Sequence, residues 1–249
     1  MAIHPLKQFE IKQIGSVNLA GFDVAVTNQA VWTMATTGVL CVLLILASRG
    51  RQMVPNVMQN VLEVTFGFVE DMITSTSGRE GLRFFPFVFT LFTFMLVANL
   101  SGMIPGSYTS TSQITITASF ALLVFLMVWV VGFSVHGLKF FKLFAPSGVP
   151  KPLLVLLIPL ELISFFARPL TLSVRLMANM LAGHILLKVF AGFAVMLIGS
   201  LGVMGIFGAI LPGVILVALS ALEVFVALIQ AYIFALLTCV YLNDALHLH

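Results

Sequence analysis

Apolar residues in this chain gather in long, nearly unbroken runs. Residues 28–47, 84–104 and 114–135 each come close to the length of about 20 that a helix needs to cross hydrocarbon. Two longer runs follow, at residues 152–198 and 201–243. Strands facing lipid would alternate at every second position, and these runs do not. The pattern predicts an all-α polytopic membrane protein with about five transmembrane crossings, forming a single membrane domain over residues 1–249.

Residues 56–75 follow a different rule. Val57/Met58, Val61/Leu62, Val64/Thr65, Phe68/Val69 and Met72/Ile73 recur every three to four positions, with Glu63, Glu70 and Asp71 between them. One apolar stripe on a polar helix suits lying in the membrane interface better than crossing it. The last two runs are too long for upright helices: Leu153 to Ile198 would span about 70 Å if helical throughout. Glycine recurs at Gly199, Gly202, Gly205 and Gly208, and Pro212-Gly213 follows. A long tilted two-helix hairpin, turning near Gly199 to Gly202, accommodates the excess length.

Composition sharpens this. The chain is 60% hydrophobic and 8% charged, against about 25% charged in a soluble domain. A net charge of +3, scattered along the sequence, is too small to suggest a nucleic-acid partner. Residues 1–27 are polar and mixed (Lys7, Glu10, Lys12, Asp23), without the short apolar core of a cleavable signal peptide. Cys41 and Cys239 stand alone in apolar runs and read as packing residues. No phosphate-binding loop, zinc spacing or nucleophile elbow is present, so no cofactor, no metal and no active site of its own are expected.

Basic residues set an orientation. Arg49, Arg51, Arg79 and Arg83 flank the first long loop, Lys139, Lys142 and Lys151 lie in the third, and Pro105 to Gln113 has none. The first and third loops are then cytoplasmic, the N-terminus outside, and the C-terminal His247-Leu248-His249 inside.

Polar residues within the apolar runs carry the chemistry. A charge at mid-membrane costs about 2.5–3.5 kcal/mol or more and marks a functional site or a buried pair. The first hairpin helix holds Glu161, Arg168, Arg175, Asn179, His184 and Lys188; the second holds Glu223 and Gln230. Arg175, Asn179 and Gly183 fall at i, i+4 and i+8, and Glu223, Ala227, Gln230 and Ala231 line the other helix in the same way. In an antiparallel hairpin, pairing Arg175 with Gln230 and His184 with Glu223 places the turn near residue 203 in both cases, next to the glycine run.

Histidine beside a carboxylate can pass protons near neutral pH, since imidazole's unperturbed pKa is about 6.5. The same pair can also be a static hydrogen bond. Asn179 and Gln230 can hold water without adding charge. Arg175 cannot relay protons, because guanidinium does not deprotonate, but it can bar leakage and favour ionisation of a nearby carboxylate. The chain offers Arg175 no carboxylate one turn away. Its counter-ion is expected on another subunit, approached across the small residues Ala227, Ala231 and Ala235. Arg168 and Lys188 read as structural or snorkelling residues, Glu161 as either a helix-start carboxylate or part of a path, and Asn99 as either packing or path lining. His247 and His249 read as a solvated tail.

These residues resemble subunit a of the F-type ATP synthase. The resemblance rests on Leu172-Ser-Val-Arg175-Leu-Met-Ala-Asn179-Met-Leu-Ala-Gly183-His184, on Gln230-Ala-Tyr-Ile-Phe234 continuing to Tyr241-Leu242, and on Asn99-Leu-Ser-Gly-Met-Ile-Pro105. It implies a stator with two offset half-channels that pass protons to and from a carboxylate on each subunit of a rotating c-ring. Arg175 matches the family's essential arginine, which separates the two paths. Asn99, Asn179, Gln230 and the 184/223 pair match outer half-channel positions, and Glu161 an inner one. The implied partners are c-ring subunits, peripheral-stalk b-type subunits and membrane lipid; the implied location is a bacterial inner membrane in preference to a mitochondrial one. A self-contained proton-coupled secondary transporter is the alternative, although such folds repeat their broken helices in both halves and here the polar residues concentrate in one hairpin. A purely structural anchor would leave the cost of Arg175 unexplained.

Overall fold

The computed structural model describes residues 10–19, 22–48, 56–104, 107–144 and 151–247. Six α-helices carry the fold in these residues: α1 (Asn28–Ser48), α2 (Val57–Ser77), α3 (Phe85–Gly102), α4 (Ile114–His136), α5 (Lys151–Leu201) and α6 (Val203–Leu246). Five stretches are long and apolar enough to cross a membrane, and α2 is not among them. The helical, polytopic class read from the sequence is the class observed. Arg49, Arg51, Pro105 and His249 lie outside the described residues, as do the side chains of Lys142 and Lys151.

One element is not helical. Strands β1 (Gln13–Leu19) and β2 (Phe22–Thr27) pair antiparallel, from Gln13 opposite Thr27 to Leu19 opposite Phe22. The hairpin is too short to register beside runs of about 20 apolar residues. Asn28 fastens it to α1. Its Oδ1 accepts from the N–H groups of Lys12 (3.1 Å) and Gln29 (2.9 Å), and its Nδ2 donates to the Glu10 carbonyl at 3.1 Å.

Helix α2 is bounded by its caps. The Asn56 side chain accepts from Val57 N–H at 2.7 Å, and Gly78, at φ 64°, turns the chain out of the helix while its N–H reaches Thr74 O. Its apolar stripe splits in two. Val69, Met72 and Ile73 are buried within the protein, whereas Val57, Met58, Val61 and Val64 are exposed. Ser77 Oγ donates to the Cys239 carbonyl of α6 at 3.0 Å, pinning the C-terminal end. The apolar face left for lipid therefore runs from Val57 to Phe68.

The chain divides into two compact units: Met1–Cys41, Phe94–Gln113 and Leu176–Ala231 form one, and Val42–Thr93, Ile114–Arg175 and Tyr232–His249 the other. The second is rich in ring contacts. Trp129 stacks on Phe133 at 5.2 Å and meets Phe140 and Phe165 edge-on, and Phe140 is fully buried where Gly132 leaves room for its ring.

Helices α5 and α6 form the long pair. α5 has 51 residues, about 76 Å of helix, so it cannot stand upright in hydrocarbon about 30 Å thick. Pro159 and Pro169 lie inside α5 and Pro212 inside α6, where each removes a backbone hydrogen bond and bends the helix. The turn is one residue, Gly202, at φ +55°. Its N–H bonds Ile198 O at 3.1 Å, and Gly205 N–H bonds Gly202 O at 3.0 Å. A side chain on Gly205 would collide with the Leu197 carbonyl, so the reversal depends on glycine at both positions.

Candidate functional site

The first unit holds a buried polar cluster. His184 Nδ1 on α5 lies 3.3 Å from Glu223 Oε1 on α6, with side-chain exposures of 8% and 4%. That is ion-pair range, yet neither carboxylate oxygen of Glu223 makes a hydrogen bond among the described residues. A buried carboxylate with unfilled acceptors costs free energy unless it is protonated or reached by water. The close approach depends on Gly183, where a Cβ would stand 2.9 Å from Glu223 Oε1.

The other ring nitrogen is held from the chain between α3 and α4. His184 Nε2 is 2.8 Å from Thr109 Oγ1, which donates to the Gly102 carbonyl at 3.2 Å. Residues Ser107 to Ser112 carry five hydroxyls besides the phenol of Tyr108, and all six residues are buried. Burial raises the pKa of the Tyr108 phenol above its usual value, with the Gln113 side chain opposing, so the phenol stays neutral. Asn99, fully buried on α3, donates from Nδ2 to the Ala227 carbonyl of α6 at 3.2 Å, and its Oδ1 has no partner. Gln230 is also buried.

In the second unit, Arg168 is the centre of a different cluster. Its Nη1 donates to Asp244 Oδ2 at 2.8 Å, its Nη2 stands 3.9 Å from Glu161 Oε1, and its guanidinium lies over the rings of Tyr241 (5.1 Å) and Phe165 (5.8 Å). Arg168 and Asp244 are each 24% exposed and Glu161 32%. The cluster is half-wet and its cation is permanent, which suits a clamp between the start of α5 and the end of α6.

Arg175 is held by neither cluster. Its side chain is exposed, and it has no ion pair or hydrogen bond among the described residues. The two faces of α5 explain its position. Leu172, Leu176, Met180 and His184, four apart, are buried. Thr171, Val174, Arg175, Ala178, Asn179 and Ala182 face outward. Nine residues at about 100° each put Arg175 and His184 on opposite sides of the helix. Lys188, one turn past His184, is half-buried.

One expectation is corrected. Ala227, Ala231 and Ala235 are each 0% exposed, so this small-residue stripe cannot receive another subunit. It packs inside the protein, and the available face of α6 carries Val224, Leu228 and Tyr232 instead. Two polar residues with direct contacts to the clusters were not singled out from sequence. Asp244 had a signal: paired with Glu161 it also centres the hairpin near residue 203. Thr109 had none, because its contact crosses 75 positions.

The sequence comparisons agree on one family. A family model described as the ATP synthase A chain matches residues 30–243. The ATP synthase subunit a of Rhodopseudomonas palustris (strain TIE-1) is 51% identical over 99% of both chains. That of Hyphomonas neptunium (strain ATCC 15444) is 52% identical over 99% of this chain and 97% of its own. That of Mesorhizobium japonicum (strain LMG 29417 / CECT 9101 / MAFF 303099) is 50% identical over 98% and 97%.

Proposed function

The chain belongs to the ATP synthase A chain family, and we propose that it works there as the proton-conducting stator of the membrane sector of an F-type enzyme. The observation that carries the assignment of roles is Arg175: a guanidinium exposed on a small-residue face of an apolar helix, without an ion pair among the described residues. A charge left so in hydrocarbon needs a counter-ion from outside. A carboxylate on each subunit of a rotating c-ring supplies one. Ala178 and Ala182 on the same face allow close approach.

Protons reach that carboxylate by one half-channel and leave by another. The outer route passes the buried His184–Glu223 pair, with the hydroxyls of 107–112, Asn99, Asn179 and Gln230 as polar lining. The inner route passes Glu161. Arg175 stays charged at all working pH, so it repels a proton that would cross directly between the routes and favours ionisation of the rotor carboxylate. The exposed Arg79, Arg83 and Lys139 support a cytoplasmic first and third loop. This orientation puts residues 105–113 and the Gly202 turn outside and the C-terminus in the cytoplasm of a bacterial inner membrane. Contacts to peripheral-stalk b-type subunits fall on remaining lipid-facing surface.

The test is Arg175→Ala in the whole enzyme. Proton-driven ATP synthesis should vanish while the complex still assembles. Synthesis at the native rate in that variant would exclude the role given to Arg175.

A further inference from the structure

We propose that Thr109 is a positioning residue for the relay, fixing which nitrogen of His184 holds its permanent proton so that the other can exchange one with Glu223. The inference rests on the proposed outer route and adds to it the state of the imidazole.

A threonine hydroxyl has one hydrogen to donate and lone pairs to accept with. Thr109 Oγ1 has two neighbours, Gly102 O at 3.2 Å and His184 Nε2 at 2.8 Å. Donation to the Gly102 carbonyl, which can only accept, commits that hydrogen to Gly102. Nε2 must then be the donor to Thr109. This assigns the tautomer from the hydrogen-bond inventory: the neutral ring carries its hydrogen on Nε2 and turns the bare Nδ1 toward Glu223, 3.3 Å away.

The surroundings hold Thr109 to that task. It is completely buried. Its backbone carbonyl accepts from Ser112 N–H at 3.2 Å and from Ser112 Oγ at 2.6 Å. Gly102 is the last residue of α3, where carbonyls run out of helical partners. A Cβ there would stand 2.6 Å from Thr109 Cγ2 and 2.9 Å from its Oγ1, so the hydroxyl reaches the carbonyl only because residue 102 is glycine. Ser107 Oγ lies closer to Ser101 O (2.7 Å) than to Gly102 O (3.1 Å), which leaves the latter to Thr109.

The consequence is a pair that holds one exchangeable proton. With Nε2–H fixed, a bare Nδ1 facing an ionised Glu223 sets lone pair against negative charge, so a proton is drawn in. It rests either on the carboxyl or on Nδ1. In transfer the Glu223 O–H bond breaks, the Nδ1–H bond forms, and imidazolium faces carboxylate. Nε2–H is unchanged throughout. Without the Thr109 oxygen the ring can place its single hydrogen on Nδ1 and bond an ionised Glu223 directly. That arrangement is satisfied with no further proton, and it is a static pair.

The experiment measures passive proton conduction and ATP-driven pumping by the complete enzyme in liposomes, with Thr109→Val, Thr109→Ser and Glu223→Gln against the native chain. Valine keeps the shape and removes the oxygen; conduction should fall about tenfold in an assembled complex, and serine should hold it within twofold. Valine conducting within twofold of native while Glu223→Gln is impaired overturns the role of Thr109 and leaves the relay standing. Serine falling as far as valine also overturns it, since the methyl would then be what matters. Native conduction by Glu223→Gln overturns the relay itself. Should the valine variant fail to assemble, Thr109→Ala is read against serine by the same limits.

Discussion

Two clusters on the α5–α6 pair use the same ingredients to different ends. Around Arg168, two carboxylates meet a cation that never loses its proton, in a setting where each side chain keeps about a quarter or more of its surface exposed. Around His184, one carboxylate meets a cation that exists only when protonated, with both side chains under a tenth exposed. A permanent, partly wet pair holds two helix ends together and has nothing to pass on. A dry pair whose charge depends on one proton cannot keep its charges without that proton. On the proposed reading, the chemistry of the cation and the depth of burial decide which pair conducts. Arg175 is the third case, a permanent cation with no ion pair among the described residues.

The contrast is broken most severely at Glu223. Glu223→Gln preserves volume and removes the titrating group, so proton conduction should drop by about a hundredfold or more, read as loss of proton-driven ATP synthesis with the complex present at native level. Conduction above a tenth of native would mean that the buried pair is bypassed. Gly183→Ala is the subtler version. The added methyl stands 2.9 Å from Glu223 Oε1, so the carboxyl must swing away from His184 Nδ1. Conduction should fall about three- to tenfold with little change in thermal stability, since a few tenths of an ångström spoils transfer geometry before it spoils packing. An unchanged rate would show that the pair tolerates displacement and that its position is not tuned.

How much of this was written in the sequence depends on the range of each interaction. Hydrophobic run length gave the helices and the long hairpin, because crossing hydrocarbon imposes a length that sequence alone reveals. The antiparallel rule brought His184 to Glu223, since a hairpin turn converts depth into residue number, and the observed turn at Gly202 lies next to the expected centre. What failed was the orientation of faces. Ala227, Ala231 and Ala235 look alike whether a helix packs on its own chain or on a neighbour. Their complete burial and the Asn99 contact to the Ala227 carbonyl show which. The β-hairpin and the Thr109 contact were hidden for separate reasons: one is a weak local pattern, the other an encounter between distant segments that no local pattern encodes.

The smallest effect is expected at Asp244, and it tests whether the wet cluster is only a clamp. Asp244→Asn keeps a hydrogen-bond acceptor for Arg168 Nη1 but removes the charge from a contact of 2.8 Å. A charge-assisted hydrogen bond contributes about 1.5–3 kcal/mol and a neutral one about 0.5–1.5, so about 1 kcal/mol should be lost. Arg168 would keep Glu161 at 3.9 Å and its ring contacts with Tyr241 and Phe165. The result should be a complex that dissociates a few degrees earlier on heating and conducts protons within twofold of native. A change in conduction larger than the change in stability would mean something else. Freed from Asp244, Arg168 would be drawing Glu161 into a tighter pair and withdrawing it from the inner route, and Asp244 would then be what leaves Glu161 loose enough to exchange protons.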